Sequence, residues 1–226
     1  MKKMIVTAGG TVAPIDEVRG ITNGGTGALG CDIAQRFSEA GAQVYFVHNG
    51  QFIPKGDNIQ VLPVKTVAEL EETLTRLLKE MAIDVVVHTM AVSDFVVAGY
   101  TEVVSLEADK VVMDEALRPA GTKLSSKAPV GLVLAPAPKI IGKIKALSPQ
   151  TALVGFKLLS HVAEAHLVQV GYELLKKNGC DYVVVNDLAH MSKTQHHALI
   201  LNDEGAIIHR LTTKAAIGQA VVGLYM

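Results

Sequence analysis

The chain has 226 residues, of which 49% are hydrophobic and 19% charged, with a formal net charge of −1. This composition predicts a globular protein with a large core, and the near-neutral charge argues against non-specific nucleic-acid binding, which needs a concentrated basic surface. No apolar run reaches the roughly 18 residues that span a membrane. The two cysteines, Cys31 and Cys180, lie far apart without a CxxC motif, which argues against a disulfide framework and a zinc site. We therefore expect a soluble, cytoplasmic protein.

A Gly- and Thr-rich loop near the N-terminus is the most informative segment. It follows an apolar strand over Met4–Val6 and ends where an amphipathic helix opens near Gly27. Such a loop before a helix N-terminus can bind an anion, because unpaired backbone N–H groups and the helix dipole face the same point. The usual dinucleotide fingerprint makes this turn in about six residues. This loop is much longer, which predicts that it is functional.

Apolar strands and amphipathic helices alternate along much of the remaining chain. Further strands are predicted over 43–47, 59–64, 84–89, 152–156 and 182–185, and helices over 29–37, 67–81, 161–177 and 212–224. This alternation predicts an α/β, Rossmann-like, doubly wound sheet that is mainly parallel, with helices on both faces. A C-terminal hairpin is expected around residues 202–205.

Residues 96–150 lack a clear period, although Pro138 could begin a helix that runs to Leu147. We expect a single domain over residues 1–226, with an irregular loop or dimerisation insertion at about 96–150.

Four polar clusters could carry chemistry. The run Thr89–Phe95 follows the fourth predicted strand, and ligands of open parallel sheets bind beyond such strand ends where the strand order reverses. The other clusters are Lys123 in a Ser-rich segment, Ala137–Ile141, and Val154–Lys157.

These clusters, together with the run from Thr7 to Gly30 and the pair Asn186-Asp187, resemble phosphopantothenoylcysteine synthetase in its stand-alone form. The resemblance implies a ligase of coenzyme A biosynthesis that joins 4′-phosphopantothenate to L-cysteine. It implies CTP or ATP as co-substrate, Mg²⁺, no flavin, and a homodimer. The carboxylate would attack the nucleotide α-phosphorus, releasing pyrophosphate, and the cysteine amine would then displace the nucleoside monophosphate from the acyl-nucleotidylate.

The resemblance also implies roles for individual residues. Asn23 would hold the acyl intermediate, and Lys123 would neutralise charge as the nucleotide reacts. The expected nucleotide-binding residues are Gly9, Gly10, Thr11, Met90, Asp94, Pro138, Lys139, Ile140, Ile141, Phe156 and Lys177. The expected phosphate-binding residues of the first loop are Arg19, Thr26 and Gly27. Asp94 could bind a base, a ribose or magnesium, or could only cap the next turn, and the metal ligands stay open.

Plain structural roles compete with several of these assignments. Asn23 could stabilise a turn, Phe156 could belong to the core, and Thr26 could cap the helix. The chain also departs from the family pattern at Gly24-Gly25 and at Met90. The choice between CTP and ATP stays open, with CTP modestly favoured.

Two other functions compete with the ligase. A nicotinamide-dependent oxidoreductase would carry a compact glycine fingerprint and an acidic residue after the second strand, where this chain has His48-Asn49. A non-catalytic nucleotide-binding protein would leave Asn23 and Lys123 unexplained as a pair. Of the histidines, we expect His88 to be a core or strand-end residue rather than a general base, and His196 and His197 to be surface residues.

Overall fold

The computed structural model describes residues 1–107, 109–121, 124–125, 127–192 and 194–226. Fourteen strands are named within these residues: β1 Lys3–Gly9, β2 Val12–Pro14, β3 Gly20–Thr22, β4 Gln43–Asn49, β5 Ile59–Pro63, β6 Val85–His88, β7 Phe95–Glu107, β8 Lys110–Met113, β9 Arg118–Pro119, β10 Val130–Pro136, β11 Ala152–Leu159, β12 Tyr182–Met191, β13 His196–Asn202 and β14 Ile207–Leu211. The helices are α1 Ala28–Glu39, α2 Val67–Glu80, α3 Ile141–Leu147, α4 Glu164–Asn178 and α5 Lys214–Gly223.

The central sheet has eight strands in the order β14-β13-β12-β11-β6-β1-β4-β5. The six strands from β12 to β5 run parallel, and β13 and β14 add an antiparallel hairpin at one edge. The prediction of a Rossmann-like, mainly parallel sheet with a C-terminal hairpin is confirmed. The strand order reverses between β1 and β6, so the loops that follow these two strands flank the crevice where such sheets bind ligands.

Helices cover both faces of this sheet, as predicted, and bury a separate core on each. Helices α1 and α5 pack on one face, where Phe37 meets Val6 and Phe46. Helices α2, α3 and α4 pack on the other face, where Leu70 meets Ile5. Their apolar stripes follow the helical period, because only one face of each helix contacts the sheet. None of the helices in the described ranges is long and apolar enough to cross a membrane.

The insertion is more regular than predicted. Strands β7, β8, β9 and β10 form an antiparallel ribbon beside the main sheet. The sequence does not predict this ribbon, because β7 and β8 carry adjacent apolar residues, such as Val103-Val104 and Val111-Val112, in place of an alternating pattern. The first loop likewise contains a short hairpin, β2–β3. Helix α3 begins at Ile141, three residues after Pro138.

Candidate active site

The two loops at the reversal point are bonded to each other. Gly10 and Ala91 form a parallel bridge, and the Thr11 backbone N–H donates to the Ala91 carbonyl at 3.2 Å. The Ser93 N–H donates to the buried Thr11 hydroxyl at 2.8 Å. Because these bonds join residues about 80 positions apart, the first loop and the loop after β6 form one backbone unit.

Gly9 and Gly10 allow this close approach. Gly9 has φ +91°, and a Cβ there would lie 2.2 Å from the Asn49 carbonyl oxygen. A Cβ on Gly10 would lie 2.6 Å from the Asn23 carbonyl oxygen. The missing side chains thus make room for protein backbone, and neither glycine lines the cavity described below.

The N-terminus of α1 lacks a side-chain cap. Gly27 occupies the N-cap position in the left-handed region with φ 81°, and no acidic residue lies in the first turn. The Thr26 hydroxyl is 3.4 Å from the Ala28 N–H, at the limit of a hydrogen bond. The first-turn N–H groups and the positive end of the helix dipole therefore suit an anion, as the sequence predicts.

Asn23 lies on the exposed stretch before this helix and bonds across to the second loop. Its side-chain Nδ2 donates to the Val92 carbonyl at 3.4 Å, and its own carbonyl accepts from the Gly25 N–H at 2.8 Å. Val92 in turn lines the neighbouring cavity. The Asn23 amide therefore stands at the border between the helix N-terminus and the cavity.

A cavity of about 350 Å³ opens beyond the carboxyl ends of β6 and β11. Eight residues of the expected nucleotide set line it: Met90, Asp94, Pro138, Lys139, Ile140, Ile141, Phe156 and Lys177. They come from four separate stretches of the chain, so their convergence is produced by the fold. Gly9, Gly10 and Thr11, which were also expected to bind the nucleotide, do not line the cavity and instead bond to the loop after β6.

The two sides of this cavity are joined at its mouth. The Asp94 carboxylate pairs with the Lys139 ammonium, and the Ala137 N–H donates to the Asp94 carbonyl at 2.9 Å. Both charged side chains are about two-thirds exposed, and an ion pair in such a setting contributes little to stability. This ion pair is therefore only a weak constraint on either side chain.

His88 also lines the cavity, a role that the sequence analysis missed. It is the last residue of β6 and is only 7% exposed. The Thr7 hydroxyl lies 2.9 Å from its Nδ1, and the Met90 N–H donates to that hydroxyl at 3.2 Å. Burial lowers the pKa of His88 to about 4, so the imidazole is neutral at physiological pH.

This shift makes a prediction for stability. His88 binds a proton near pH 6.5 in the unfolded chain and only near pH 4 in the folded protein. As the pH falls below 6.5, proton binding therefore favours the unfolded state. Relative to a His88→Gln variant, the wild type should lose about 2 to 3 kcal/mol of unfolding free energy between pH 7.5 and 4.5. Urea unfolding at both pH values measures this difference, and shifts of the other buried histidines cancel in the comparison. If the difference in unfolding free energy between the wild type and His88→Gln were the same at both pH values, the low pKa of folded His88 would be contradicted.

Asp16 and Arg19 connect the first loop to the segment that carries Lys123. The Asp16 side chain is fully buried and pairs with Arg19, whose Nε and Nη2 lie 3.0 and 2.5 Å from Oδ2. The Leu124 N–H also donates to Asp16 Oδ2 at 3.1 Å, and Arg19 Nη2 donates to the Leu124 carbonyl at 2.9 Å. These bonds, Arg19 first and Leu124 second, hold the pKa of Asp16 well below its usual range.

The same segment is bonded on its other side, where the Gly121 N–H donates to the Ile15 carbonyl at 3.0 Å. Lys123 itself lies outside the described residues. We call the contacts of Ile15, Asp16 and Arg19 with Gly121 and Leu124 the Asp16 latch. Arg19 was expected to bind a phosphate, and in the structure its guanidinium makes these protein contacts.

A second cavity, of about 440 Å³, lies between the start of α4 and the C-terminal hairpin. Asp187 lines this cavity and accepts from the His161 and Val162 N–H groups at 2.8 and 2.9 Å. None of the expected site residues lines it.

His196 is buried and its Nε2 lies 3.2 Å from Asn186 Nδ2, so its prediction as a surface residue is wrong. Within the described ranges, no group of three or more His, Cys, Asp or Glu residues is placed to hold a metal ion.

Known proteins resemble this chain over most of its length. The curated coenzyme A biosynthesis bifunctional protein CoaBC of Thermococcus kodakarensis is 32% identical over 205 residues, which are 91% of this chain and 46% of that protein. The chain thus spans about half the length of the curated relatives that it matches.

Solved structures show the same fold. The crystal structure of the DNA/pantothenate metabolism flavoprotein from Streptococcus pneumoniae superposes with a TM-score of 0.86 at 30% identity, over 99% of this chain and 97% of that chain. A Cab2 mutant in complex with phosphopantothenate-cysteine superposes with a TM-score of 0.72 at 18% identity, over 99% and 86% of the two chains. A family model described as the DNA/pantothenate metabolism flavoprotein C-terminal domain matches residues 1–225. The chain therefore belongs to this family.

Proposed function

We propose that the protein joins 4′-phosphopantothenate to L-cysteine, with a nucleoside triphosphate as the activating co-substrate. The observation that carries this proposal is the cavity, because eight of the residues that the resemblance assigns to the nucleotide line it next to the loop with Asn23 and the uncapped helix. The relatives support it: they are named as coenzyme A biosynthesis proteins, and the Cab2 mutant structure contains phosphopantothenate-cysteine.

In this proposal the phosphorylated acid binds along the first loop. Its phosphate is held by the first-turn N–H groups of α1 together with Thr26 and Gly27, where the helix dipole favours negative charge. Its carboxylate then points towards Asn23 at the border of the cavity. The Asn23 amide can donate to one oxygen and accept from another group, which suits a neutral mixed anhydride.

The nucleotide occupies the cavity. Lys139, Lys157 and Lys177 supply positive charge for the phosphates, while half-buried Phe156 offers an apolar surface to the base. Mg²⁺ usually binds through one or two carboxylates and the phosphates of its substrate, and Asp94 is the acidic residue among those that line the cavity. A bound Mg²⁺ would neutralise part of the triphosphate charge.

The chemistry consists of two displacements. A carboxylate oxygen of phosphopantothenate bonds to the α-phosphorus and pyrophosphate leaves. The amine of cysteine then bonds to the acyl carbon, loses a proton, and the nucleoside monophosphate leaves. Both steps depend on alignment and on stabilising negative charge, which the backbone donors and lysines of this site provide.

Product analysis tests the proposal. Protein incubated with phosphopantothenate, cysteine, Mg²⁺ and either CTP or ATP should release pyrophosphate and form an amide whose mass equals the acid plus cysteine minus water. Comparing the two nucleotides decides the preference, for which we propose CTP. Nicotinamide absorbance should stay unchanged when NADH replaces the nucleotide. Nucleotide binding without product would favour a non-catalytic binding protein instead.

We also propose that the protein acts in the cytoplasm. Cys31 and Cys180 are both unpaired thiols, as expected in a reducing compartment.

We propose further that the protein is a homodimer, formed through the β7–β10 ribbon. The ribbon exposes many large apolar side chains: Phe95, Val96, Val104, Leu106, Val111, Val112, Met113, Val133 and Leu134. An apolar surface of this kind on a folded protein marks an interaction site.

Charged substitutions on the ribbon should separate the subunits. Val104 and Leu106 are 70% and 68% exposed, so a Val104→Glu, Leu106→Lys variant should fold normally and sediment as a monomer. The Ile208→Lys variant, on the edge strand β14, is the matched control and should stay dimeric. Sedimentation velocity at micromolar concentration measures both. A monomeric wild type would contradict the dimer, and a dimeric double variant would exclude this face.

A further inference from the structure

His88 projects into the nucleotide cavity because of its position in β6. Side chains alternate between the two faces of a strand, and Val86 packs in the core beneath α2, α3 and α4 whereas Val87 packs on the opposite face. His88 therefore shares the face of Val86. Ile141 of α3 and Leu174 of α4 line the cavity on this same face, so the ring lies at the base of the cavity.

The hydrogen bonds around the ring orient it. The Thr7 hydroxyl accepts from the Met90 N–H and lies 2.9 Å from His88 Nδ1. When the hydroxyl proton is donated to Nδ1, the proton of the neutral ring resides on Nε2. The opposite tautomer would leave the hydroxyl proton without this acceptor, so the arrangement favours Nε2 as the donor.

The Nε2 atom of His88 has no protein partner within the described residues. The hydrogen bond of the ring there is the one at Nδ1, and Nε2 is not one of the buried polar side-chain atoms without a partner, which are His196 Nδ1 and Tyr225 OH. Because the ring lines the cavity, the cavity is the place where Nε2 can meet an acceptor.

We propose that His88 is a nucleotide-binding residue: its Nε2–H is a fixed, neutral donor to an acceptor atom of the nucleoside part of the bound nucleotide. This inference rests on the proposed function. A neutral donor adds no Coulomb attraction for phosphates, which the lysines of the cavity provide. It matches the ring nitrogens and carbonyl of a base or the oxygens of a ribose, because buried donors that face a ligand need an acceptor.

NMR tests the donor without any substitution. Protein labelled with ¹⁵N-histidine should show His88 as the neutral tautomer with its proton on Nε2, and added CTP or ATP should shift the Nε2 resonance. A proton on Nδ1, or a resonance that nucleotide leaves unchanged, overturns the proposal.

Binding measurements test the contact itself. By calorimetry, His88→Leu should bind the nucleotide about tenfold more weakly, while His88→Gln, whose amide can replace the Nε2–H, should stay within about threefold of the wild type. Inhibition by pyrophosphate should be equal in all three proteins. The His48→Leu variant is the matched control, since His48 is another buried strand-end histidine that does not line this cavity.

The outcomes separate this inference from the proposed function. A wild type that binds neither CTP nor ATP overturns both. A wild type that binds nucleotide, together with a folded His88→Leu variant of equal affinity, overturns the role of His88 alone. Equal weakening in His48→Leu also overturns it, because the effect would then reflect general loss of packing.

Discussion

Replacing Asn23 with aspartate is expected to slow amide formation by about 10²- to 10³-fold, the usual effect of losing one transition-state donor, while the first half-reaction continues. The carboxylate cannot donate to the acyl intermediate, and its charge opposes the negative charge that develops as the nucleoside monophosphate leaves. It would also face the Val92 carbonyl, to which Nδ2 now donates.

Rapid-quench experiments measure both steps. The Asn23→Asp variant should release one pyrophosphate per site in a burst and accumulate a species with the mass of the acyl-nucleotidylate. Asn202→Asp, in the distant C-terminal hairpin, is the matched control and should turn over normally. Full turnover by Asn23→Asp would remove Asn23 from the mechanism, even with the family assignment unchanged.

Removing the charge of Asp16 should have the second-largest effect. In Asp16→Asn the latch loses its ion pair with Arg19 and its anionic acceptor for the Leu124 N–H. Amide hydrogen exchange at Gly121 and Leu124 should therefore accelerate by at least about tenfold, since exchange follows local opening. If Lys123 acts in the first half-reaction, pyrophosphate release should slow by about 10²-fold, as misplacement of a catalytic group can cost.

Lys123→Gln distinguishes charge from position. It should slow pyrophosphate release as strongly as Asp16→Asn does, while exchange at Gly121 and Leu124 stays slow. The control Asp203→Asn, in the exposed hairpin turn, should change neither quantity. Fast exchange in Asp16→Asn with normal pyrophosphate release would show that the latch serves stability alone.

The main sheet could be predicted from sequence because each part of it has a local signature. Parallel strands such as β4 are buried on both faces and appear as continuous apolar runs, and the stripe of α2 follows the helical period. The ribbon strands have no such signature, because they expose apolar residues such as Val104 and Leu106. Their order depends on pairing between distant strands, which no local pattern encodes.

The site could be predicted in part for the same reason. Asp94 lies in the loop after β6 and Phe156 in the second half of β11, and these two strands are neighbours in the sheet, so the topology brings the two residues together. The latch depends on contacts between Asp16 and Leu124, 108 positions apart, and the sequence carries no sign of it. His88 was missed because a buried strand ending in histidine looks the same whether its ring faces the core or a cavity.

The bonds of Thr11 with Ala91 and Ser93 have a consequence for how two substrates would meet. The acid and the nucleotide would both be held by this one hydrogen-bonded backbone unit. Independent motion of the two loops would therefore not separate the two substrates. Bringing reactants into register before the reaction removes translational entropy from the barrier. Substitutions that displace this shared backbone should therefore impair the binding of both substrates together.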